Sequence, residues 1–597
     1  MSCSFTTIGF FVLSSVATLA ACSDSGAGNT VSENPSFLAI SDKSTTSYLA
    51  VSKEALHEKW FLDIFLKMDG SGWANPSDLH VVTFRERNGK LTVLDASDDA
   101  KAGTSERVIG DYPIVPVNVA TRDGYIVVDS AKGDGLLGMT DFWKLLTPQC
   151  KPASVKSGNF RPLSDGATFE ETCTGDSSPA PSRSPATLGL SFRRYVESPV
   201  FQRLSMPSSA FYGPAWQRDD GGISNLAAHW PIHPGMKPIR WVLSSEFSKA
   251  QKDHPQYDIL GAAQRGITNW NQLFGFEALS AEVAKDGEPV DRFDTNLVYF
   301  DAATAFGRLP EAFRRTNPNT GEIRQASIYI PSRVLTEAAA TRSPTIPAAK
   351  DQVEAYITFI ILHEIGHALG LQHNFKGSLV APSSSVMDYL TVDDGRRMTT
   401  PGAYDRDALA YLYGLRPNAA LPSQPFCNES HVTSDPECAR FDTGDDPLAK
   451  DAGPKYREEL TAYLTAKSDD LPHTTLNKVA KWLRAHPSGD AAARTRLQTQ
   501  KLLAWEYLVA PLRSGATAGA TPERIDAAWQ HVLNRLYVDP PELRDGSVFA
   551  THDPPSDERL SPKIAQDARD LLGEAHDVAV HNVAGVVLKK LQTANAP

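Results

Sequence analysis

The chain has 597 residues, of which 41% are hydrophobic and 22% charged, a composition typical of soluble globular proteins. This length predicts roughly two to four domains rather than one core. The formal net charge is -12, and because an acidic chain repels phosphate backbones, nucleic acid is not expected as a partner.

The N-terminus predicts export. An apolar run ends at Ala21, directly before Cys22, and it is too short for a membrane span. The letters LAAC up to Cys22 resemble the bacterial lipobox, which implies cleavage before Cys22 and lipid attachment there. No Lys or Arg precedes the run, which leaves an ordinary secretory signal open. We predict a signal peptide over 1–21, a flexible tether over 22–34 and a lipid anchor in the bacterial outer membrane; otherwise the protein is periplasmic or secreted.

Four cysteines remain in the exported chain: Cys150, Cys173, Cys427 and Cys438. An even number in an exported protein predicts two disulfide bonds. Pairing of neighbours, 150 with 173 and 427 with 438, closes the shortest loops, although the sequence leaves other pairings open. None of the four lies in a CxxC pair, so a zinc–thiolate site is not expected.

Short β-like runs recur after the tether, and turn pairs such as Asn88-Gly89 separate them. The runs are Leu79–Phe84, Lys90–Leu94 and Tyr125–Val128, with a weaker one at Ile114–Val117. They predict a β-rich N-terminal domain over residues 35–235.

A mixed α/β pattern follows over residues 236–415. The predicted strands and helices are Ile239–Leu243, Tyr257–Phe274, Leu297–Phe300, Ile323–Ile330 and Asp351–Leu369. In the last helix Asp351 is the expected N-cap, and Gly370 marks its end. Beyond this region we predict an irregular, disulfide-bearing segment over 416–453 and a helical C-terminal region over 454–597.

The stretch HEIGHALGLQH, from His363 to His373, carries the candidate chemistry. His363 and His367 are four apart on one helix face, where two imidazoles can reach one metal ion. Glu364 points about 100° further round the helix, so it can stand beside the metal as a general base without binding it. His373 would lie on another face if the helix continued, and it joins the site only if the chain turns at Gly370.

This pattern, HExxHxxGxxH, resembles the metzincin zinc-protease signature. The letters SVMDY, from Ser385 to Tyr389, are similar to the methionine turn of that family. Together with YDRDALAYLYG and the segment Phe426–Pro447, they resemble the EcxA-like zinc-binding domain of bacterial metzincins. The resemblance implies an α+β fold: a metzincin-type zinc protease domain, with a mixed twisted sheet and an active-site helix, preceded by the β-rich domain and followed by the helical region.

The resemblance also implies the ligands and the base. His363, His367 and His373 would bind one Zn²⁺ per chain. Glu364 would take a proton from a water held at the metal and pass it to the leaving amine.

Three further roles follow from the resemblance. Met387 would be a packing platform under the site rather than a ligand. Tyr389 would bind zinc or stabilise the oxyanion, or else only pack in the turn. In metzincins an edge strand pairs with extended substrate, and Ile323–Ile330 is the candidate, with a plain interior strand as the alternative.

We therefore expect a zinc-dependent metalloendopeptidase acting on protein or peptide substrates without a covalent intermediate. The alternative is a non-catalytic surface binding lipoprotein on a metzincin scaffold. Glu364 favours catalysis, because a scaffold has no need of a base beside three histidines. Zinc-dependent hydrolysis of a non-peptide bond is a third hypothesis.

Overall fold

The computed structural model describes residues 35–594, except 42–46, 68–73, 77–78, 99–105, 139–154, 174–185, 207–208, 215–225, 286–294, 303–307, 341–348, 433–434, 439, 441–445, 486–490, 514–518 and 538–559. The predicted signal peptide, the tether with Cys22, and Cys150 lie outside the described residues. None of the described helices combines the length and the apolar character that crossing a bilayer requires.

Eleven strands of the first domain are described: β1 (Phe37–Ser41), β2 (Ser47–Ser52), β3 (Trp60–Lys67), β4 (Ala74–Pro76), β5 (His80–Arg87), β6 (Lys90–Asp95), β7 (Val108–Pro113), β8 (Tyr125–Val128), β9 (Val155–Leu163), β10 (Gly166–Cys173) and β11 (Ala186–Arg194). They form an antiparallel sheet of order β1-β2-β8 and another of order β7-β6-β5-β3-β11-β10-β9, with β4 paired to β3. Asn88 and Gly89 both have positive φ, 52° and 71°, as a two-residue hairpin turn between β5 and β6 requires.

Two sequence predictions for this domain need correction. Ile114–Val117 is not a strand; β7 ends at Pro113, and Ile114 makes only an isolated bridge to Val128. The boundary at residue 235 is too late, because the sheet ends with β11. Phe211 and Trp230 are buried in the core of the following domain instead.

The second domain contains a five-stranded sheet and the central helices. Its elements are β12 (Ile239–Leu243), α1 (Ser245–Asp253), α2 (Ile259–Thr268), α3 (Asn271–Phe274), β13 (Leu279–Val283), β14 (Asn296–Asp301), β15 (Glu311–Thr316), β16 (Ile323–Pro331), α4 (Arg333–Ala339), α5 (Lys350–Ala368), α6 (Val392–Gly395) and α7 (Ala403–Leu412). The strand order is β13-β12-β14-β16-β15. Every pairing in this sheet is parallel except that of β15 with β16.

The predicted edge strand is an interior strand. Ile323–Pro331 lies between β14 and β15, so the edge prediction for Ile323–Ile330 is wrong and its interior alternative holds. The turn at Asn317–Gly321 returns the chain antiparallel, which places Glu311–Thr316 at the edge. Among the described residues, β15 pairs on one side only.

Helix α5 runs through the middle of the second domain and is buried on nearly all faces, as a central helix must be. It begins at Lys350 with Ala349 at the N-cap, one residue before the predicted start, so Asp351 is not the N-cap. Gly266 of α2 allows the two helices to approach closely, because a Cβ there would lie 2.7 Å from the Cβ of Ile361. Because α5 is packed on nearly all faces, the positions of His363, Glu364 and His367 near its C-terminal end are fixed.

The first two domains meet at a buried ion pair. Nε of Arg315 on β15 lies 2.5 Å from Oδ2 of Asp63 on β3, and both side chains are less than 10% exposed. The guanidinium of Arg324 on β16 lies over the ring of Phe61. Side chains of β15 and β16 therefore anchor the second sheet to the β-rich domain.

The C-terminal region is helical where it is described, as predicted. Its helices are α8 (Gly453–Leu464), α9 (His473–Arg484), α10 (Ala491–Val509), α11 (Pro522–Tyr537), α12 (Leu560–Glu574) and α13 (Val578–Ala594). They enclose a hydrophobic core of their own. Cys427 and Cys438 form the predicted local disulfide in the segment before them, and Cys173 is also disulfide-bonded.

Candidate metal centre

The three predicted histidines converge at the end of α5. One ring nitrogen of each of His363, His367 and His373 lies within 4.8 Å of those of the others, and this is the one such cluster found in the described part of the chain. The Nε2 atoms of His367 and His373 are 3.1 Å apart. Two ligand nitrogens on one tetrahedral zinc lie about 3.3 Å apart for Zn–N bonds of about 2.0–2.1 Å.

The other nitrogen of each ring has a hydrogen-bond acceptor. Nδ1 of His363 lies 2.7 Å from the carbonyl oxygen of Val386, and Nδ1 of His367 lies 2.8 Å from that of Leu371. Nδ1 of His373 lies 2.5 Å from Oε1 of Glu429. Acceptors at Nδ1 require the proton there, which leaves each Nε2 with a free lone pair.

Gly370 makes the turn that brings His373 back, as predicted. Its φ is 104°, and a Cβ there would lie 2.2 Å from the carbonyl oxygen of Ala228. The N–H of Gly370 bonds to the oxygen of His367, and the N–H of Leu371 bonds to that of Gly366, the two bonds of a Schellman motif. At a helix end of this kind the chain turns back, which brings the imidazole of His373 close to those of His363 and His367.

Glu364 lies beside the cluster and is 5% exposed. Its Oε2 is buried and has no hydrogen-bond partner within the described residues. Burial raises the pKa of this carboxyl to about 8, with the negative charge of Glu311 adding to the effect and Arg314 opposing it. A buried carboxyl oxygen without a partner in the described structure is available to a ligand in the cleft.

The predicted methionine turn lies under the cluster. Met387 is fully buried, and Gly366 makes room for it, since a Cβ on that glycine would lie 2.3 Å from the Met387 sulfur. Asp405 of α7 accepts hydrogen bonds from the Ser385 hydroxyl (2.5 Å) and the Val386 N–H (2.8 Å). Val386 in turn holds His363, so α7 fixes one ligand through the turn.

Tyr389 lines the site on one side. Its ring centroid is 4.5 Å from that of His373 and 5.2 Å from that of Phe375. Burial raises the pKa of its phenol, with Glu429 and Glu364 adding to the effect, so the hydroxyl remains a proton donor near neutral pH.

Two residues that the sequence did not indicate contact His367, and one of them, Tyr212, also lines the cleft. The ring of Tyr212 makes an edge contact with His367 at 5.7 Å between centroids. The guanidinium of Arg314 lies 3.5 Å from the centroid of the Tyr212 ring and donates a hydrogen bond to the His367 carbonyl oxygen at 3.1 Å. Tyr212 lies 138 positions before the start of α5, and no local pattern marks it.

A cleft of about 770 Å³ lies between the edge strand β15 and helix α5. Apolar side chains, including Phe359, Ile360, Leu390 and Val392, form much of its lining, and the three histidines with Glu364 lie in its wall. Ligand-binding sites commonly have this size and this mixture of apolar walls with a few polar groups.

Comparison with known proteins agrees with this geometry. The model of a family described as Met-zincin matches residues 345–486, which include α5, the three histidines, the methionine turn, the disulfide and α9. The chain carries a metzincin-like domain. No curated protein and no solved structure gives a match.

The donor set of the metzincin-like domain fits zinc. Three imidazoles that each offer a ring nitrogen to one point form the ligand set of many catalytic zinc sites, in which the fourth position is left for water or substrate. The 3.1 Å between the Nε2 atoms of His367 and His373 is close to the separation of two nitrogen ligands on one zinc ion. With zinc bound, His363, His367 and His373 would hold it, and Met387 would stay beneath as packing.

Proposed function

We propose that the chain is a zinc-dependent metalloendopeptidase, with Glu364 as general base and acid. The convergence of one ring nitrogen from each histidine beside the buried, unpartnered carboxyl oxygen of Glu364 carries this proposal. We also propose that the chain belongs with the EcxA-like bacterial metzincins. The sequence from HEIGHALGLQH to the segment that holds Cys427 and Cys438 supports this assignment.

The cleft supports an extended substrate. Strand β15 is the last strand of the sheet within the described structure, and an edge strand can add a peptide strand by backbone hydrogen bonds. Such a peptide would run along the cleft over His363 and His367. The edge strand is therefore Glu311–Thr316, in place of the strand that the sequence suggested.

Each group then has a defined task. When bound, zinc lowers the pKa of a water molecule and polarises a carbonyl group. Glu364 accepts a proton from the attacking water and donates it to the leaving amine nitrogen. Tyr389 donates a hydrogen bond to the developing oxyanion.

Cleavage of a diverse peptide library by the purified protein and by Glu364→Ala tests this function, with zinc measured in both. We expect one zinc per chain in both proteins and cleavage by the wild type alone. Zinc without any cleavage would support the binding-scaffold alternative. Cleavage of small esters or amides but not of peptides would support the third hypothesis.

We further propose export and a lipid anchor at Cys22, supported by the LAAC sequence at the end of the apolar run. Expression in a Gram-negative host with labelled palmitate tests the anchor. Label should enter the wild type and be absent from Cys22→Ser. Label in neither protein would favour an ordinary secretory signal.

A further inference from the structure

The third histidine differs from the other two in what holds its ring. His363 and His367 face backbone carbonyls, whereas Nδ1 of His373 faces the carboxylate of Glu429 at 2.5 Å. Glu429 lies 56 residues beyond His373 in the chain and two residues after Cys427 of the disulfide. We call residues 427–432 and 435–438 the cysteine loop.

The metzincin-like domain holds the cysteine loop from one side. The N–H of Phe375 bonds to the carbonyl oxygen of Cys427 at 2.9 Å. Nζ of Lys376 lies 2.7 Å from Asp435 and 3.2 Å from Glu437, and the lysine side chain is only 13% exposed. These contacts start from the two residues that follow Asn374, so loop and ligand are fixed to the same short segment.

The helical region holds the loop from the other side. Nζ of Lys481 on α9 donates to the carbonyl oxygens of Val432 (3.3 Å), Asp435 (3.4 Å) and Cys438 (3.1 Å). An ammonium group has three donors, and three loop carbonyls accept from this one. Arg496 on α10 adds an ion pair with Glu437 at 3.2 Å.

We propose that Glu429 is a positioning residue for His373 and that the cysteine loop, held by Lys376 and Lys481, sets the zinc affinity of the site. A carboxylate at Nδ1 fixes the ring orientation and makes Nε2 a stronger ligand. The helical region is then part of the metal site rather than a separate module. The family match agrees, since it continues to residue 486 and includes Lys481.

Zinc affinity of the full chain, measured by competition with a chromophoric chelator, tests the role of Glu429. We expect Glu429→Ala to bind zinc about 10–100-fold more weakly. Glu429→Gln should lose less, because its amide oxygen still accepts the Nδ1 proton. Glu458→Gln, an exposed glutamate on α8, is the matched control and should bind as the wild type does.

Melting temperatures of the metal-free proteins separate positioning from general stability. We expect Glu429→Ala and wild type to melt alike without zinc. Wild-type zinc affinity in Glu429→Ala would overturn the proposal, as would an equal loss in Glu458→Gln. If Glu429→Ala does not fold, the zinc affinity of Glu429→Gln is the test. A zinc affinity equal to that of the wild type would then contradict the proposal.

A double-mutant cycle tests the loop. Opening it by Cys427→Ser with Cys438→Ser, or releasing it by Lys481→Met, should weaken zinc binding because Glu429 is no longer held. In a Glu429→Ala background the same changes should cause no further loss. Additive losses would show that the loop does not act through Glu429.

This inference rests on the metal site of the proposed function and not on the reaction. If the wild type binds one zinc tightly but cuts no peptide, the proposed peptidase activity is refuted. The proposed effect of Glu429 on zinc affinity is then still tested by the same variants. A wild type that cuts peptides, with zinc binding unchanged in Glu429→Ala, refutes only the positioning role.

Discussion

The two sides of the metal site are built from different kinds of sequence. On the helix side, His363, Glu364 and His367 lie within five positions of α5, and their spacing alone places them together. On the outer side, Tyr212, Arg314 and Glu429 come from three distant segments. The comparison teaches that the reactive groups are encoded locally, whereas the groups that hold and surround them depend on the whole fold.

Metal removal should have the largest effect on function and a small one on the fold. Chelation should abolish peptide cleavage, and Zn²⁺ but not Mg²⁺ should restore it, because imidazole ligands suit zinc. The fold should persist, because α5 is buried by packing against its neighbours and the Nδ1 hydrogen bonds do not use the nitrogens that would bind the metal. At zinc a hundredfold above Kd the stabilisation is about 2.7 kcal/mol, measurable as a shift in melting temperature. Global unfolding on chelation would contradict this.

On the helix side, Glu364→Gln should lower kcat by about 10²–10⁴-fold, the usual contribution of a general base. Zinc content should not change, because Glu364 is not a ligand in this account. Kinetics and metal analysis on the same preparation check both points. Loss of zinc from Glu364→Gln would mean that the carboxylate holds the metal.

Tyr389→Phe and Tyr212→Phe compare the two walls with the same chemical change. We expect Tyr389→Phe to lower kcat by about 10²-fold or more, as loss of an oxyanion donor does, with KM nearly unchanged. Tyr212→Phe should have a smaller effect, because its ring packs between His367 and Arg314. If Tyr212→Phe lowers kcat more than Tyr389→Phe does, Tyr212 rather than Tyr389 is the oxyanion donor.

Gly370→Ala should give the smallest effect. The Cβ would meet the Ala228 carbonyl oxygen, and such overpacking costs about 1–3 kcal/mol. Gly414→Ala is the control, because Gly414 also has positive φ but open space around it. We expect Gly370→Ala to lower both the melting temperature and zinc affinity, and Gly414→Ala to lower only the former. Equal zinc affinity in the two variants would show that the turn at Gly370 does not affect metal binding.

The sequence predicted those features that depend on the spacing of residues within one short segment. Helix α5, the turn at Gly370 and the three histidines follow from helix start and end signals and from a motif with a mechanism. The local disulfide between Cys427 and Cys438 also formed as expected. Each of these depends on residues close together in the chain.

What the sequence missed depends on pairing between distant segments. The order of strands placed Ile323–Pro331 inside the sheet and Glu311–Thr316 at its edge, which no single strand pattern encodes. Phe211 and Trp230 read as part of the β-rich domain but pack behind the helix end. Glu429 looked like an ordinary loop glutamate, because its partner lies 56 positions away.

The central claim is that three imidazoles from this helix and turn hold one zinc ion. Anomalous diffraction from crystals of the zinc-loaded protein tests it most directly. We predict one zinc at about 2.0–2.1 Å from Nε2 of His363, His367 and His373, with Glu364 near but not bound. Zinc bound elsewhere, or held by fewer than these three rings under saturating zinc, would contradict the account.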